Sequence, residues 1–120
     1  MNESLPITFK LMPAAMLQGL IMILIAMPLL YNAIGPNRFY GFRTRKTLSR
    51  LDLWYKTNKY AARELVAAGM VIITLAIVTM LIHLSITMFT TIQAFALFIM
   101  VTAVPLLIAV LRSLSYLKKL

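Results

Sequence analysis

The 120 residues are 62% hydrophobic and only 12% charged, with mean hydropathy +0.90 and a net charge of +9. A soluble domain carries about a quarter charged residues, so this composition excludes a small water-soluble core and points to an all-α membrane protein. The chain has no cysteine, which removes disulfides, thiolate chemistry and Cys-ligated metals.

Met1 to Lys10 is a short polar start. Its first charge is Glu3, and the apolar run after it is too long for a signal-peptide core, so it reads as a mature N-terminus rather than a leader. No charge appears from Leu11 to Asn37. Residues 11–31 are enough, at about 1.5 Å per residue, to cross a hydrocarbon core about 30 Å thick. Pro13 fits an early helical turn. Pro28 falls near the far end, and Gly35-Pro36 is expected to stop the span. Gln18 and Gly19 are expected to face other helices, because an amide aimed at lipid is costly.

Pro36 to Leu48 reads as irregular, with Pro36, Asn37 and Gly41 as breakers. Ser49-Arg50-Leu51-Asp52 has the form of a capping box opening a helix. From there Leu51, Trp54, Ala61, Ala62 and Leu65 follow helical spacing, while Lys56, Lys59 and Arg63 share the opposite face with Asp52. The expectation is an amphipathic helix at the membrane interface, with Trp54, Tyr55 and Tyr60 at headgroup depth. It either lies between the first two spans or runs into the second without a break. Asn58 points into the apolar face. It either bonds the loop backbone or touches a ligand, since an unpartnered buried amide costs about 1–3 kcal/mol.

No Lys, Arg, Asp or Glu occurs in the 47 residues from Leu65 to Leu111. That length suits two crossings, placed at 65–86 and 92–111, with Ser85, Thr87, Thr90, Thr91 and Gln93 marking the turn between them. Ala67, Ala68 and Gly69 allow close helix approach, and Pro105 is expected to kink the last span. Eight of the twelve Lys and Arg residues lie between Arg38 and Arg63, three lie in the C-terminal tail, and Lys10 stands alone at the start. By the positive-inside rule the central loop and C-terminus are cytoplasmic and the N-terminus is outside. Residues 1–120 then form a single three-span membrane domain.

His83 is the only histidine. It reads either as a proton site or as an interfacial side chain reaching for water. One His without clustered acids is no metal site, and no cofactor is implied. An isolated Gly41 makes no phosphate-cradling loop, and no base stands near a candidate hydroxyl nucleophile, so no enzyme is expected. The positive charge flanks apolar spans, which assigns it to the bilayer surface and not to nucleic acid. Arg43, Thr44, Arg45, Lys46, Thr47 and Arg50 gather donors suited to carboxylate or phosphate groups. Arg45, Lys46, Arg50, Lys56, Lys59 and Arg63 form a basic surface for anionic lipid headgroups.

Pro36-Asn37, Gly41-Phe42-Arg43-Thr44, Thr47-Leu48, Trp54 and Thr57-Asn58, followed by small residues to Gly69, resemble the signature of the SdpI family of bacterial integral membrane proteins. The family is named for an immunity protein that protects a bacterium from its own secreted toxin peptide. That protein is also implicated in signalling through a cytoplasmic repressor held at the membrane. The resemblance implies a multi-pass protein of the bacterial cell membrane that binds a toxin peptide or shields its target. Asn37, Gly41, Arg43, Thr44, Thr47, Trp54 and Asn58 would then bind a partner or organise the loop. Two features depart from the pattern. Arg45-Lys46 replaces a Pro-aromatic pair found in many members, and the chain reads as the motif domain without the founding protein's upstream segments. An anionic-lipid-binding protein and a transporter or structural subunit are the alternative readings, and the oligomeric state stays open.

Overall fold

The computed structural model describes residues 5–86 and 90–120. Its helices are α1 (Thr8–Leu30), α2 (Arg45–Ser49), α3 (Leu51–Ile86) and α4 (Thr91–Lys118), and no strand occurs among the described residues. Three of them, α1, α3 and α4, are long and apolar enough to cross a membrane. Glu3 and Thr87, read above as part of the N-terminal tail and of the last turn, lie outside the described residues.

Helix α1 begins at Thr8, so Pro13 falls in its second turn. The proline there removes one ladder bond, to the Phe9 carbonyl. The helix does not run to Gly35-Pro36. It ends at Leu30 and is closed by Asn32, whose φ of 57° is left-handed. The Asn32 amide donates to the Leu29 carbonyl at 3.3 Å, and the Ala33 amide donates to the Pro28 carbonyl at 2.8 Å. This is a Schellman stop with asparagine in the position glycine usually fills.

Packing follows the small residues. A Cβ added to Gly69 would lie 2.6 Å from the Gly19 carbonyl oxygen, and one added to Gly19 would lie 2.7 Å from the Gly69 carbonyl oxygen. The backbones of α1 and α3 therefore touch where both lack a side chain. Around that contact Met12, Ala15, Met22, Ala68, Ile72, Ala76, Val101 and Ala109 form the core. Ala26, Leu29 and Ala62 form a smaller cluster nearer the polar end.

The expected interfacial helix is the beginning of α3, with no break before the second span. A helix of 36 residues is about 54 Å long, close to the 60 Å long axis of the molecule. Residues 51–63 thus continue the span axis instead of lying flat across it. The buried register also differs from the expected one: Leu53 and Trp54 are buried, whereas Leu51 is 61% exposed. Asp52, Lys56 and Arg63 do face outward.

The expected capping box at Ser49 and Asp52 is absent. Ser49 is the last residue of α2, and its hydroxyl donates to the Lys46 carbonyl at 2.6 Å. Asp52 is held by Arg50, Nε to Oδ1 at 3.0 Å and Nη2 to Oδ2 at 2.6 Å. The box lies earlier, on Thr44 and Thr47, and opens a helix within a stretch expected to be irregular. At the other end, Thr90 and Gln93 cap α4 reciprocally.

Candidate functional site

The polar segment folds as a cap over the end of the bundle where α1 finishes, α3 begins and α4 finishes. Its frame is made by side chains that bond backbone. The Asn37 amide makes four such bonds. Its Nδ2 donates to the carbonyls of Gly35 and Tyr40, both at 2.8 Å, and its Oδ1 accepts from the amides of Phe39 at 2.8 Å and Tyr40 at 2.6 Å. That is the full capacity of a carboxamide, and it closes a tight turn over residues 35–40. The Tyr40 hydroxyl donates to the Ile25 carbonyl, in the turn of α1 that Pro28 loosens.

Gly41 then turns the chain down onto α3. Its φ is 115°, and an added Cβ would meet Asn58 Oδ1 at 2.8 Å and the Trp54 ring at 2.9 Å. Only glycine meets both demands. Asn58 receives the next residue: its Oδ1 accepts from the Phe42 amide at 2.5 Å, and its Nδ2 donates to the Trp54 carbonyl at 3.0 Å. Of the two roles open for Asn58, the geometry gives it loop fastening. It also lines a cavity described below.

Thr44 and Thr47 cap α2 reciprocally. The Thr47 amide donates to Thr44 Oγ1 at 3.1 Å, and the Thr44 amide donates to Thr47 Oγ1 at 2.8 Å. The Thr47 hydroxyl also reaches the Phe42 carbonyl at 3.0 Å, and Thr47 is fully buried. Trp54 has no exposed surface, and its Nε1 donates to the Ile34 carbonyl at 2.8 Å. The indole is therefore enclosed by the loop. It does not face lipid at the interface, because the cap covers the apolar face that sequence spacing leaves open.

Arg43 donates from Nε to the Asn37 carbonyl at 2.5 Å while its side chain stays exposed. Arg45, Arg50, Lys56 and Arg63 are exposed around the cap and Lys59 is half-buried. Lys46 is exposed as well, and its Nζ donates to the Leu117 carbonyl at 2.9 Å. It thereby places a cation at the negative end of α4, which gives the departure from the Pro-aromatic pair a structural use. Lys46→Met should cost about 0.3–1 kcal/mol. Amides of the last turn of α4 should exchange faster by hydrogen–deuterium exchange, whereas Lys46→Arg should preserve their protection.

Sequence reasoning placed Asn37, Gly41, Arg43, Thr44, Thr47, Trp54 and Asn58 in one motif, and the fold brings them together. It missed Tyr40 and the contribution of α4. A phenol next to the glycine turn was the available signal for Tyr40. Under the cap is a cavity of about 210 Å³ lined by Ile25, Gly41, Phe42, Asn58, Ala61 and Ser113, among others. Its walls are apolar apart from the Asn58 amide and the Ser113 hydroxyl, and Ser113 donates to the Ala109 carbonyl at 2.7 Å. Thr57, also fully buried, has a hydroxyl without a hydrogen-bond partner.

Eleven of the twelve cations belong to this end of the molecule, in the loop, the start of α3 and the end of α4. Lys10 lies at the opposite end. There His83 meets the Phe9 ring edge-on, with centroids 5.0 Å apart and planes at 86°.

A model of the SdpI/YfhL protein family matches residues 33–113. The match starts at the stop of α1 and takes in the cap, all of α3 and most of α4. No curated protein and no solved structure matches the chain.

Proposed function

This chain belongs to the SdpI/YfhL protein family, and on that premise we propose that it is an immunity-type protein of the bacterial plasma membrane. It would sit with the cap and C-terminus in the cytoplasm and the N-terminus outside, the orientation favoured by eleven cations at one end against one at the other. Its task would be to bind a membrane-active toxin peptide, or to shield what that peptide attacks. No catalytic step is assigned to it.

The observation that carries this reading is the pairing of an exposed cation with an apolar cavity. The cap uses Asn37, Thr44, Thr47, Trp54 and Asn58 on itself, and takes the Nε of Arg43 while the side chain stays exposed. Gly41 and Phe42, the two residues before Arg43, line the cavity of about 210 Å³ between loop and helices. An amphipathic peptide lying in the bilayer offers both complements, an apolar side chain for the cavity and a carboxylate for the guanidinium.

The test is survival. Expressed in a bacterium sensitive to membrane-active peptides, the chain should protect. Arg43→Ala should lower protection at least tenfold in killing dose, since a charge-assisted bond contributes about 1.5–3 kcal/mol, while protein level stays unchanged. Asn58→Ala should lower it by releasing the loop. Equal killing with and without the wild-type chain across a panel of such peptides removes the proposal.

A second reading rests on Phe39, which is 93% exposed at the loop tip beside Arg38. An aromatic and a cation standing together suit a protein contact, and a cytoplasmic regulator would dock there. Phe39→Ser should then abolish co-purification of the regulator without changing survival. Loss of survival alone would assign Phe39 to the peptide site.

A further inference from the structure

Away from the cap, α3 and α4 enclose a groove of about 580 Å³. Its α3 wall runs from Ala67 to Ile82 and its α4 wall from Leu97 to Ile108, and Thr79 is the polar residue on those walls. At one end stands an ion pair. Arg112 Nε lies 3.0 Å from Glu64 Oε2, and the two side chains are 61% and 17% exposed. One turn further, Tyr60 and Tyr116 stack with centroids 4.1 Å apart and planes at 4°.

The depth of this pair is set by the helices. From Glu64 to the end of α3 at Ile86, and from the start of α4 at Thr91 to Arg112, the rise is about 32–33 Å on each helix. That matches a hydrocarbon core about 30 Å thick. Arg112 therefore stands where phosphates begin, and the tyrosine stack lies at the aromatic belt.

We propose that the α3–α4 groove is a lipid site that takes one acyl chain of an anionic phospholipid, with the phosphate bound by Arg112. The charge fits. A guanidinium has five N–H donors; Glu64 engages the one on Nε and the Tyr60 hydroxyl also bonds the group, and an anion can approach the donors left exposed. Lys118 and Lys119, at the same end of α4, add positive charge for an anionic headgroup. The size fits as well. The groove is about 22 Å long along α3, whereas one leaflet's hydrocarbon is about 15 Å deep. The glutamate fixes the guanidinium at the mouth, and its own negative charge disfavours a free anion that brings no chain.

The test is native mass spectrometry of the full chain from mixed micelles holding phosphatidylglycerol and phosphatidylcholine in equal amounts. One phosphatidylglycerol per chain should be retained in preference to phosphatidylcholine. Arg112→Ala should cut that retention about tenfold, in line with loss of a charge-assisted bond. Ala67→Phe fills the groove from an exposed position and leaves the ion pair in place, and it should cut retention equally. The double variant Arg43→Ala/Arg45→Ala should leave retention unchanged. The proposal is overturned if Ala67→Phe retains phosphatidylglycerol as the wild type does, or if only the loop double variant loses it. A lipid-free dimer that Ala67→Phe dissociates would also overturn it and assign the groove to a helix of a second copy.

Discussion

Replacing Trp54 with alanine should open the cap while leaving the three long helices standing. The indole is enclosed by the loop, and its N–H holds the Ile34 carbonyl. Removing a fully buried tryptophan costs about 3–5 kcal/mol. Here that cost falls on the docking of residues 33–44, because the Gly19–Gly69 contact and the apolar core lie further along the helices. Trypsin offers the direct reading, since Arg38 and Arg43 lie in the loop. Cleavage there should accelerate about a hundredfold or more, at 1.4 kcal/mol per tenfold, with helix content by circular dichroism unchanged. Trp54→Phe keeps most of the ring and loses one hydrogen bond, so its effect should stay near 1 kcal/mol. Equal cleavage of the wild type and Trp54→Ala would mean that the indole does not hold the loop.

The second large effect is expected at Gly69, and its sign is the informative part. In an ordinary helix interior, glycine to alanine stabilises by about 0.8–1 kcal/mol. At Gly69 an added Cβ would sit 2.6 Å from a backbone oxygen of α1 and 2.8 Å from the Ile23 side chain. Backbone cannot swing aside as a side chain can, so α1 and α3 must separate along their shared face. Gly69→Ala should therefore destabilise, by about 1–3 kcal/mol as for other overpacked sites. Gly69→Val should lower folded yield further. Ala67→Val, on the exposed side of the same helix, serves as the control and should leave thermal stability in detergent near wild type. A rise in melting temperature on Gly69→Ala would place the two helices further apart than described.

The sequence makes the spans legible because hydrocarbon imposes a strong rule. About 20 apolar residues are needed per crossing, and charges fall only at the margins. The small residues at 67–69 show where helices meet for an equally direct reason. Asn37 and Gly41 are readable as turn formers. The boundaries are less so. Two polar patterns overlap, Thr44 to Thr47 and Ser49 to Asp52, and only packing selects between them. Thr47 caps because its hydroxyl is also buried against the Phe42 carbonyl, whereas Ser49 stays exposed. Asn32 stops α1 from within a window that Gly35-Pro36 dominated.

Trp54 shows a deeper limit. Helical spacing places it on an apolar face, but not what covers that face. Lipid was the simpler cover, and a loop folded back by Gly41 is the one found. Contacts between distant positions, such as Lys46 with Leu117 and Tyr40 with Ile25, leave no trace in local pattern. They decide which polar side chains are spent on fastening the cap and which, like Arg43, fasten it through one atom and stay exposed.

The unbroken course of α3 has a mechanical consequence. The helix contains no proline, and its single glycine is the point at which it touches α1. Gly69 lies about 22 Å from Trp54 and about 25 Å from Ile86 along the axis. A 5° swing about that fulcrum would move the two ends in opposite directions by about 2 Å each. The arms of this see-saw are nearly equal, so a partner that shifts the Trp54 end displaces the Ile86 end by about the same amount.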